Sequence, residues 1–392
     1  MRVPSMPLLS VSRGAARATA RAFPFDQPGF STWYNARAAI WQGARCLGLR
    51  AGDRVLVPAY ACGSEIDALL KSGLELAYYR IRPDLTPDFD HLAALVNAPA
   101  RALYVIHYFG VSQPMDQVAA FARAHGLLLI EDNAHGLYST DATGRALGSF
   151  GDMAVFSFTK TLAVPDGGGL LLGKAATSGP SRGRSPAALP VAGKMRFLIE
   201  QASARRFPAA TAFAKRRVLD PLVAGLKAVR TAPSASVDGS SRREMGLIEL
   251  KPERAAWRMS AVARALLVRQ PHEAVRRARR RHFQRLRELL DGVAGVTALL
   301  GELPDGCCPL FFPVQVDDAA GLQRALSADG VESKWFWSFI HDAVPMDDFP
   351  FERALKRSVV VLPVHQSLDE ADLAVIARAV RHWGRNRPLS GR

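Results

Sequence analysis

Residues 127–135 read Leu127-Leu-Leu-Ile-Glu-Asp132-Asn-Ala-His135: four apolar residues, then two acids, with no alternation of apolar and polar positions. A run this short and this uniformly apolar fits a strand buried on both faces, as in a parallel sheet covered by helices. Working outward, similar runs stand at Arg54–Val57, Ala102–Ile106, Ala154–Phe158 and Gly169–Leu172. Helical spacing fills the gaps between them. Ile40, Ala44 and Leu47 share one face of Arg37–Leu47, which Gly48 closes; Pro114 and Asp116 open another stretch through Val118, Ala122 and His125. Strand-sized runs alternating with helices across 35–172 predict an α/β domain with a mostly parallel sheet.

Beyond that domain the texture changes. Ser178–Pro186 and Ala232–Ser241 are rich in Gly, Ser, Pro and Arg and read as loops, and between them lies a basic helical stretch with Phe197, Ile199, Phe213, Val218 and Leu222. A long helical region spans about 259–291 and includes Val275-Arg-Arg-Ala-Arg-Arg-Arg281. A strand-like run (Leu310–Val316), a helix near 318–328, a second strand (Ser358–Leu362) and a last helix follow, with Ser367 and Glu370 spaced as a capping box. The expected organisation is an N-terminal segment (1–30), a large α/β domain (31–258) with a basic helical insertion at about 175–245, and a small C-terminal α+β domain (259–392).

Composition excludes several classes. Nearly half of the 392 residues are apolar, which supplies ample core, yet no run approaches the ~18 apolar residues that cross a bilayer. The four cysteines (Cys46, Cys62, Cys307, Cys308) show no metal-ligand spacing and do not suit a disulfide framework in a chain this long. A reducing, cytoplasmic compartment is expected. Met1–Arg21 carries four arginines and no acid but lacks a continuous apolar core, so it reads as an ordinary terminus and not as a targeting signal. The net charge of +15 is unevenly placed: residues 175–290 hold 25 Lys/Arg against 8 Asp/Glu, and the rest of the chain is slightly acidic. Such a segment suits a polyanionic substrate or an anionic membrane surface, or simply solvated helix faces. Nucleic acid is not the expected partner.

Three segments carry chemistry. The first presents Asp132 at the carboxyl end of a buried strand, where open α/β sheets bind ligands. The second is Phe156-Ser-Phe-Thr-Lys160-Thr-Leu-Ala-Val-Pro-Asp-Gly-Gly-Gly169, in which a strand runs into a lysine and a glycine-rich turn leads to the next strand. Desolvation at such a strand end frees a lysine amine to act as a nucleophile. The third, Tyr34-Asn35-Ala-Arg37-Ala-Ala, is a helix start whose backbone N–H groups suit a phosphate. A lysine, a carboxylate and a phosphate cup on one sheet edge are what pyridoxal 5′-phosphate requires. No metal is called for.

The ordered series Gly52-Asp53-Arg-Val-Leu-Val-Pro58, Tyr104-Val-Ile-His107-Tyr-Phe-Gly110, Ile130-Glu-Asp132-Asn-Ala-His135, Gly148-Ser-Phe-Gly-Asp152, Phe156-Ser-Phe158 and Lys160 resembles the DegT/StrS-type sugar aminotransferases. Weaker matches follow at Trp257-Arg-Met-Ser260 and Leu362-Pro-Val-His365. The resemblance implies the aspartate-aminotransferase-like fold (fold type I) and a homodimer. By position it makes Lys160 the Schiff-base lysine and Asp132 the partner of the pyridinium nitrogen. It sets His135 near the cofactor's phenolic oxygen, Ala36, Arg37 and Ala38 on the phosphate-binding helix start, and Ser157 on the phosphate. Four positions depart from the family pattern. The spacing from Ser157 to Lys160 is short, and Arg37 stands for the usual Ser or Thr. Cys62 occupies the register of the stacking aromatic, with Tyr60 the nearest ring. Ala256 stands where a cross-subunit asparagine is expected.

The implied activity is ping-pong transamination from an amino-acid donor, by family habit L-glutamate, to a keto sugar, nucleotide-linked, in surface-polysaccharide or secondary-metabolite sugar biosynthesis. Two alternatives stand beside it: a pyridoxal-dependent sugar dehydratase, and a non-catalytic scaffold that binds polyanions through 175–290. His107 and His365 read as structural. Trp335, Phe336 and Trp337 read as core and fall outside the expected site.

Overall fold

In the computed structural model, residues 2–10, 22–207 and 249–385 are described. Most of the arginine-rich start, Phe213, Val218, Leu222 and the loop at 232–241 lie outside them.

The apolar runs become neighbouring strands because each can be covered on both faces. The large sheet contains β1 (Phe30–Trp33), β2 (Arg54–Pro58), β3 (Glu75–Tyr79), β4 (Ala102–Ile106), β5 (Leu128–Asp132), β6 (Met153–Ser157) and β7 (Gly168–Leu172), in the order β1-β7-β6-β5-β4-β2-β3. Strands β2 to β6 are mutually parallel, while β7 runs antiparallel to both β6 and β1. Every residue of β4 and β6 is buried, which is why these strands carry no polar alternation. Helices α1 (Ala36–Cys46), α2 (Ser64–Leu70), α3 (Phe89–Leu95), α4 (Met115–Ala124) and the one-turn α5 (Phe158–Thr161) connect them. The two strands that the apolar runs do not mark, β1 and β3, are the sheet edges, where partial exposure breaks up the apolar pattern.

The remainder comprises α6 (Ala188–Arg206), α7 (Ala261–Leu267), α8 (His272–Leu290), β8 (Thr297–Ala298), β9 (Phe311–Gln315), α9 (Ala319–Ala328), β10 (Lys334–Trp335), α10 (Pro350–Ser358), β11 (Val359–Pro363) and α11 (Glu370–Arg385). The four strands form an antiparallel sheet, β10-β11-β9-β8. Phe312, Val314, Val360 and Leu362 face a core made with Phe283, Leu286, Leu322, Leu373 and Ile376 of α8, α9 and α11. Phe311, Val359 and Val361 on the opposite face join the core of the large sheet. Burial on both faces explains the unbroken Val-Val-Val-Leu of β11.

Two expectations need correction. The helical region at 259–291 is two helices, because Pro271 has no N–H to continue a ladder and stands at the start of α8. The last helix is not capped by Ser367. Its hydroxyl accepts the Leu8 N–H at 3.0 Å, while Asp369 and Asp372 exchange side-chain-to-backbone bonds at 2.9 and 3.0 Å in a capping box of their own. The chain start is also held down: Val3 is buried, bridges Val331, and the Pro4 carbonyl accepts from His365 Nε2 at 2.9 Å. The insertion helix α6 is tied at its end by Arg205, which binds both oxygens of buried Asp372 at 2.7 Å.

Candidate active site

Strand alternation builds the floor of the pocket. Asp132 ends β5 with its side chain buried; its Oδ2 accepts the Tyr104 hydroxyl of β4 at 2.6 Å and its Oδ1 accepts the Ala134 N–H at 2.9 Å. Glu131, one residue earlier, points to the other face. There its carboxylate accepts the N–H groups of Gly148, Phe150 and Gly151 at 2.6–2.9 Å and meets His107 Nε2 at 3.2 Å. The other ring nitrogen of His107 accepts the Gln113 N–H at 3.2 Å, so His107 is a buried structural bridge. His365 is likewise occupied between Pro4 and Ser367.

Two adjacent acids thus have different duties, and their surroundings show it. Burial, and then the nearby Glu65 carboxyl, push the Asp132 carboxyl above its usual range; Lys160, the Tyr104 hydroxyl and the Ala134 N–H pull it down. Lys160 lies on α5, directly after β6, and is half-buried. Its amine makes no hydrogen bond or ion pair among the described residues, and its charge is felt by Asp132, His135 and Cys62. His135 is buried with its ring stacked on Phe109 at 6.2 Å. Its Nδ1 accepts the Phe109 N–H at 3.3 Å, which leaves the proton on Nε2. Burial, Lys160 and Lys334 hold it well below the usual histidine range, so the ring is neutral. The structure therefore gathers Lys160, Asp132 and His135 around one space.

The phosphate end is set by the close approach of α1 to β7. Asn35 caps α1, its Oδ1 accepting the Ala38 N–H at 2.9 Å, so that donor serves the cap. Ala36 and Arg37, both half-buried, form the first turn beside it. Gly168 lies against this start; a Cβ there would stand 2.2 Å from the Asn35 carbonyl carbon and 2.5 Å from the Ala36 nitrogen. Ser157 is the register partner of Gly168, which brings it to the same corner. Burial lowers the Arg37 guanidinium, and Cys62 and Asp67 partly restore it. The hydroxyl of Tyr34 is buried with no hydrogen-bond partner among the described residues, and Lys194 of α6 sits over its ring at 4.3 Å.

The side wall is where sequence reading fell short. Tyr60 is fully buried between Tyr108 at 5.5 Å and Trp337 at 5.1 Å. Trp337 packs against the large-sheet core and lies 5.3 Å from the His135 ring; Phe336, stacked on it, is core and lies 5.8 Å from the same ring. The Trp337 backbone has φ +52°, a left-handed conformation that L side chains resist, and the Lys356 ammonium holds it by donating to the carbonyls of Trp337, Phe339 and Ala61 at 2.6–3.0 Å. Glu65, also missed, accepts the Cys62 N–H at 2.7 Å and the Cys62 thiol at 3.2 Å. Burial and Glu65 push that thiol up to about 12, so it stays protonated. A local signal for Glu65 existed: an acid three residues after Cys62 at the start of a short helix reads as a cap.

Comparison with known proteins matches this geometry. The DegT/DnrJ/EryC1/StrS aminotransferase family profile matches residues 31–177. A dTDP-4-dehydro-2,3,6-trideoxy-D-glucose 4-aminotransferase from Saccharopolyspora spinosa is 34% identical over 134 residues, 33% of this chain and 34% of that protein. The spore coat polysaccharide biosynthesis protein SpsC of Bacillus subtilis matches to the same extent. The aligned part thus spans about a third of the length of these relatives. Among solved structures, Helicobacter pylori PseC, an aminotransferase involved in the biosynthesis of pseudoaminic acid, has the same fold: TM-score 0.66 at 14% identity, over 99% of this chain and 100% of that one. The fold is therefore shared with PseC along the whole chain, and residues 31–177 are similar to the DegT/DnrJ/EryC1/StrS aminotransferase family.

Proposed function

We propose that the protein is a pyridoxal 5′-phosphate-dependent aminotransferase that moves an amino group from an amino-acid donor, L-glutamate, to a keto sugar carried on a nucleotide. The observation that carries this reading is the convergence of an unpartnered amine, Lys160, on a buried carboxylate, Asp132, and a neutral histidine, His135.

The pocket fits the cofactor by the chemistry of its donors. Asp132 has spent one lone pair on Tyr104 and one on Ala134, and a carboxylate retains capacity for a ring N–H. His135 offers its Nε2–H to a phenolic oxygen. Ala36, Arg37 and Ser157 would receive the phosphate at the corner where Gly168 lets α1 approach β7. When bound, the cofactor supplies an electron sink for charge developing at the donor's α-carbon. The protein's own part is proton management and orientation. Asp132 holds a proton on the ring nitrogen, and Tyr104 keeps that carboxylate aimed. Lys160 Nζ would accept and return the proton of the donor's α-carbon as general base and acid. The Tyr60–Trp337 wall excludes water from that exchange.

The test is absorption of the purified protein with pyridoxal phosphate, before and after L-glutamate. A visible band that glutamate bleaches, absent in Lys160→Ala, is expected; Lys160→Ala protein that turns over at near wild-type rate refutes the assignment. The fold family further supports a homodimer in solution, which sedimentation would register.

A further inference from the structure

The run Val275-Arg-Arg-Ala-Arg-Arg-Arg281 plays no part in the pocket as described so far. Most of its arginines behave as solvated helix residues: Arg276 pairs with Glu273, Arg280 meets the Pro304 and Cys307 carbonyls, and Arg277 and Arg281 are exposed. Arg279 is different. It is 1% exposed, and its guanidinium meets neutral oxygens on every side. Nε donates to Gln366 Oε1 at 3.0 Å, Nη1 to the Pro309 and Leu310 carbonyls at 3.2 and 3.0 Å, and Nη2 to the Thr161 carbonyl at 2.9 Å. Burial lowers its pKa to about 10, which leaves it charged at neutral pH. No carboxylate among the described residues bonds to it, so the desolvation of this cation is offset only by what the fork can hold.

One arm holds the lysine. Thr161 is the last residue of α5, a single turn whose terminal carbonyls have no intrahelical partner, and its oxygen receives both Arg279 Nη2 and Gln366 Nε2, the latter at 3.1 Å. Lys160 is the adjacent residue. The other arm holds the opposite wall. The Leu310 carbonyl accepts Arg279 Nη1, the Leu310 N–H donates to the Phe109 carbonyl at 2.9 Å, and the Phe109 N–H donates to His135 Nδ1. Phe109 itself has φ +56°, a conformation that needs such bonds on both sides.

We propose that Arg279 is a positioning residue that sets the approach of Lys160 to the cofactor, by fixing the Lys160 turn against the wall that carries His135. This rests on the cofactor reading above. It predicts a selective defect. Capture of pyridoxal phosphate forms a C=N bond between Lys160 Nζ and the aldehyde carbon, and the aldehyde oxygen leaves as water. Pyridoxamine 5′-phosphate carries an amine in place of the aldehyde, cannot make that bond, and uses only the other contacts.

The experiment compares both compounds by quenching of tryptophan fluorescence, in the full chain, for wild type, Arg279→Lys and Gln366→Met. Arg279→Lys keeps the charge and loses the fork, so its affinity for pyridoxal phosphate is expected to fall about tenfold or more while that for pyridoxamine phosphate stays within about twofold. Gln366→Met, at a half-buried position, removes one of the two bonds to Thr161 and should show the same selectivity at about threefold. If Arg279→Lys does not fold, Gln366→Met decides. Folded variants with unchanged affinities, or with parallel losses of both compounds, overturn the proposal and leave the cofactor reading standing. A wild type that binds neither compound overturns both.

Discussion

Tyr104→Phe isolates the grip on Asp132. The substitution keeps the ring that fills the space between β4 and the pocket and removes only the hydroxyl, which donates to Asp132 Oδ2 at 2.6 Å with both groups buried. A hydrogen bond to a charged group contributes about 1.5–3 kcal/mol. One pKa unit corresponds to about 1.36 kcal/mol, so losing this bond raises the Asp132 pKa by about one to two units. The direction adds to what is there already, since burial and Glu65 hold this carboxyl above its ordinary value. For an acid whose folded pKa is raised, the folded state retains the proton longer. Stability therefore falls as pH climbs from the unfolded pKa to the folded one, and is level above it. Tyr104→Phe widens that window upward. Because only the ionised carboxylate can hold a protonated ring nitrogen, the acid limb of pyridoxal phosphate binding should move up by the same one to two pH units. A titration of cofactor affinity from pH 4.5 to 8.5, on wild type and variant, measures it. An acid limb that stays in place while the variant remains folded refutes the assignment of Asp132 as the group that titrates.

Other outcomes follow from the same geometry. Glu65→Gln removes a like charge from the Asp132 environment and keeps an oxygen for the Cys62 N–H, so the same acid limb should move down in pH. Gly168→Ala places a methyl 2.2 Å from the Asn35 carbonyl carbon and must displace the first turn of α1. Affinity for pyridoxal phosphate should fall on the order of tenfold or more, as expected when a charge-assisted contact is lost. Affinity for pyridoxal without its phosphate should change far less; equal losses for the two would remove the phosphate from that corner.

The reading of the sequence succeeded where burial on two faces leaves a one-dimensional trace. β4 coincides with the apolar run at 102–106, and the runs for β2, β5, β6 and β7 lie within two residues of the observed strands. The placement of Asp132 and Lys160 was legible for the same reason: each stands at or just past the end of an apolar strand, the edge where open α/β sheets bind ligands. What escaped was set by distant packing. Phe336 and Trp337 look like any core aromatics, and only tertiary packing, with the left-handed Trp337 backbone held by Lys356, brings both rings to His135, at 5.8 and 5.3 Å. Arg279 sits in a run of five arginines, and nothing local separates the buried one from the four that are not. The exposed edges β1 and β3 and the true cap of α11 were missed because half-buried strands and closely spaced acids carry weaker patterns than a core strand.

The pairing of Asp132 with Glu65 bears on the life of the protein in a cell as well as on its chemistry. Burial and the Glu65 charge both disfavour an ionised Asp132, and a cationic ring bonded to that carboxylate would relieve the penalty. Under the proposed function the cofactor therefore acts as a late component of the native state, stabilising it by an amount that grows with free concentration relative to its dissociation constant. Chains synthesised while pyridoxal phosphate is scarce would open more often and meet proteases sooner, so the steady amount of enzyme would follow vitamin supply with no separate regulator.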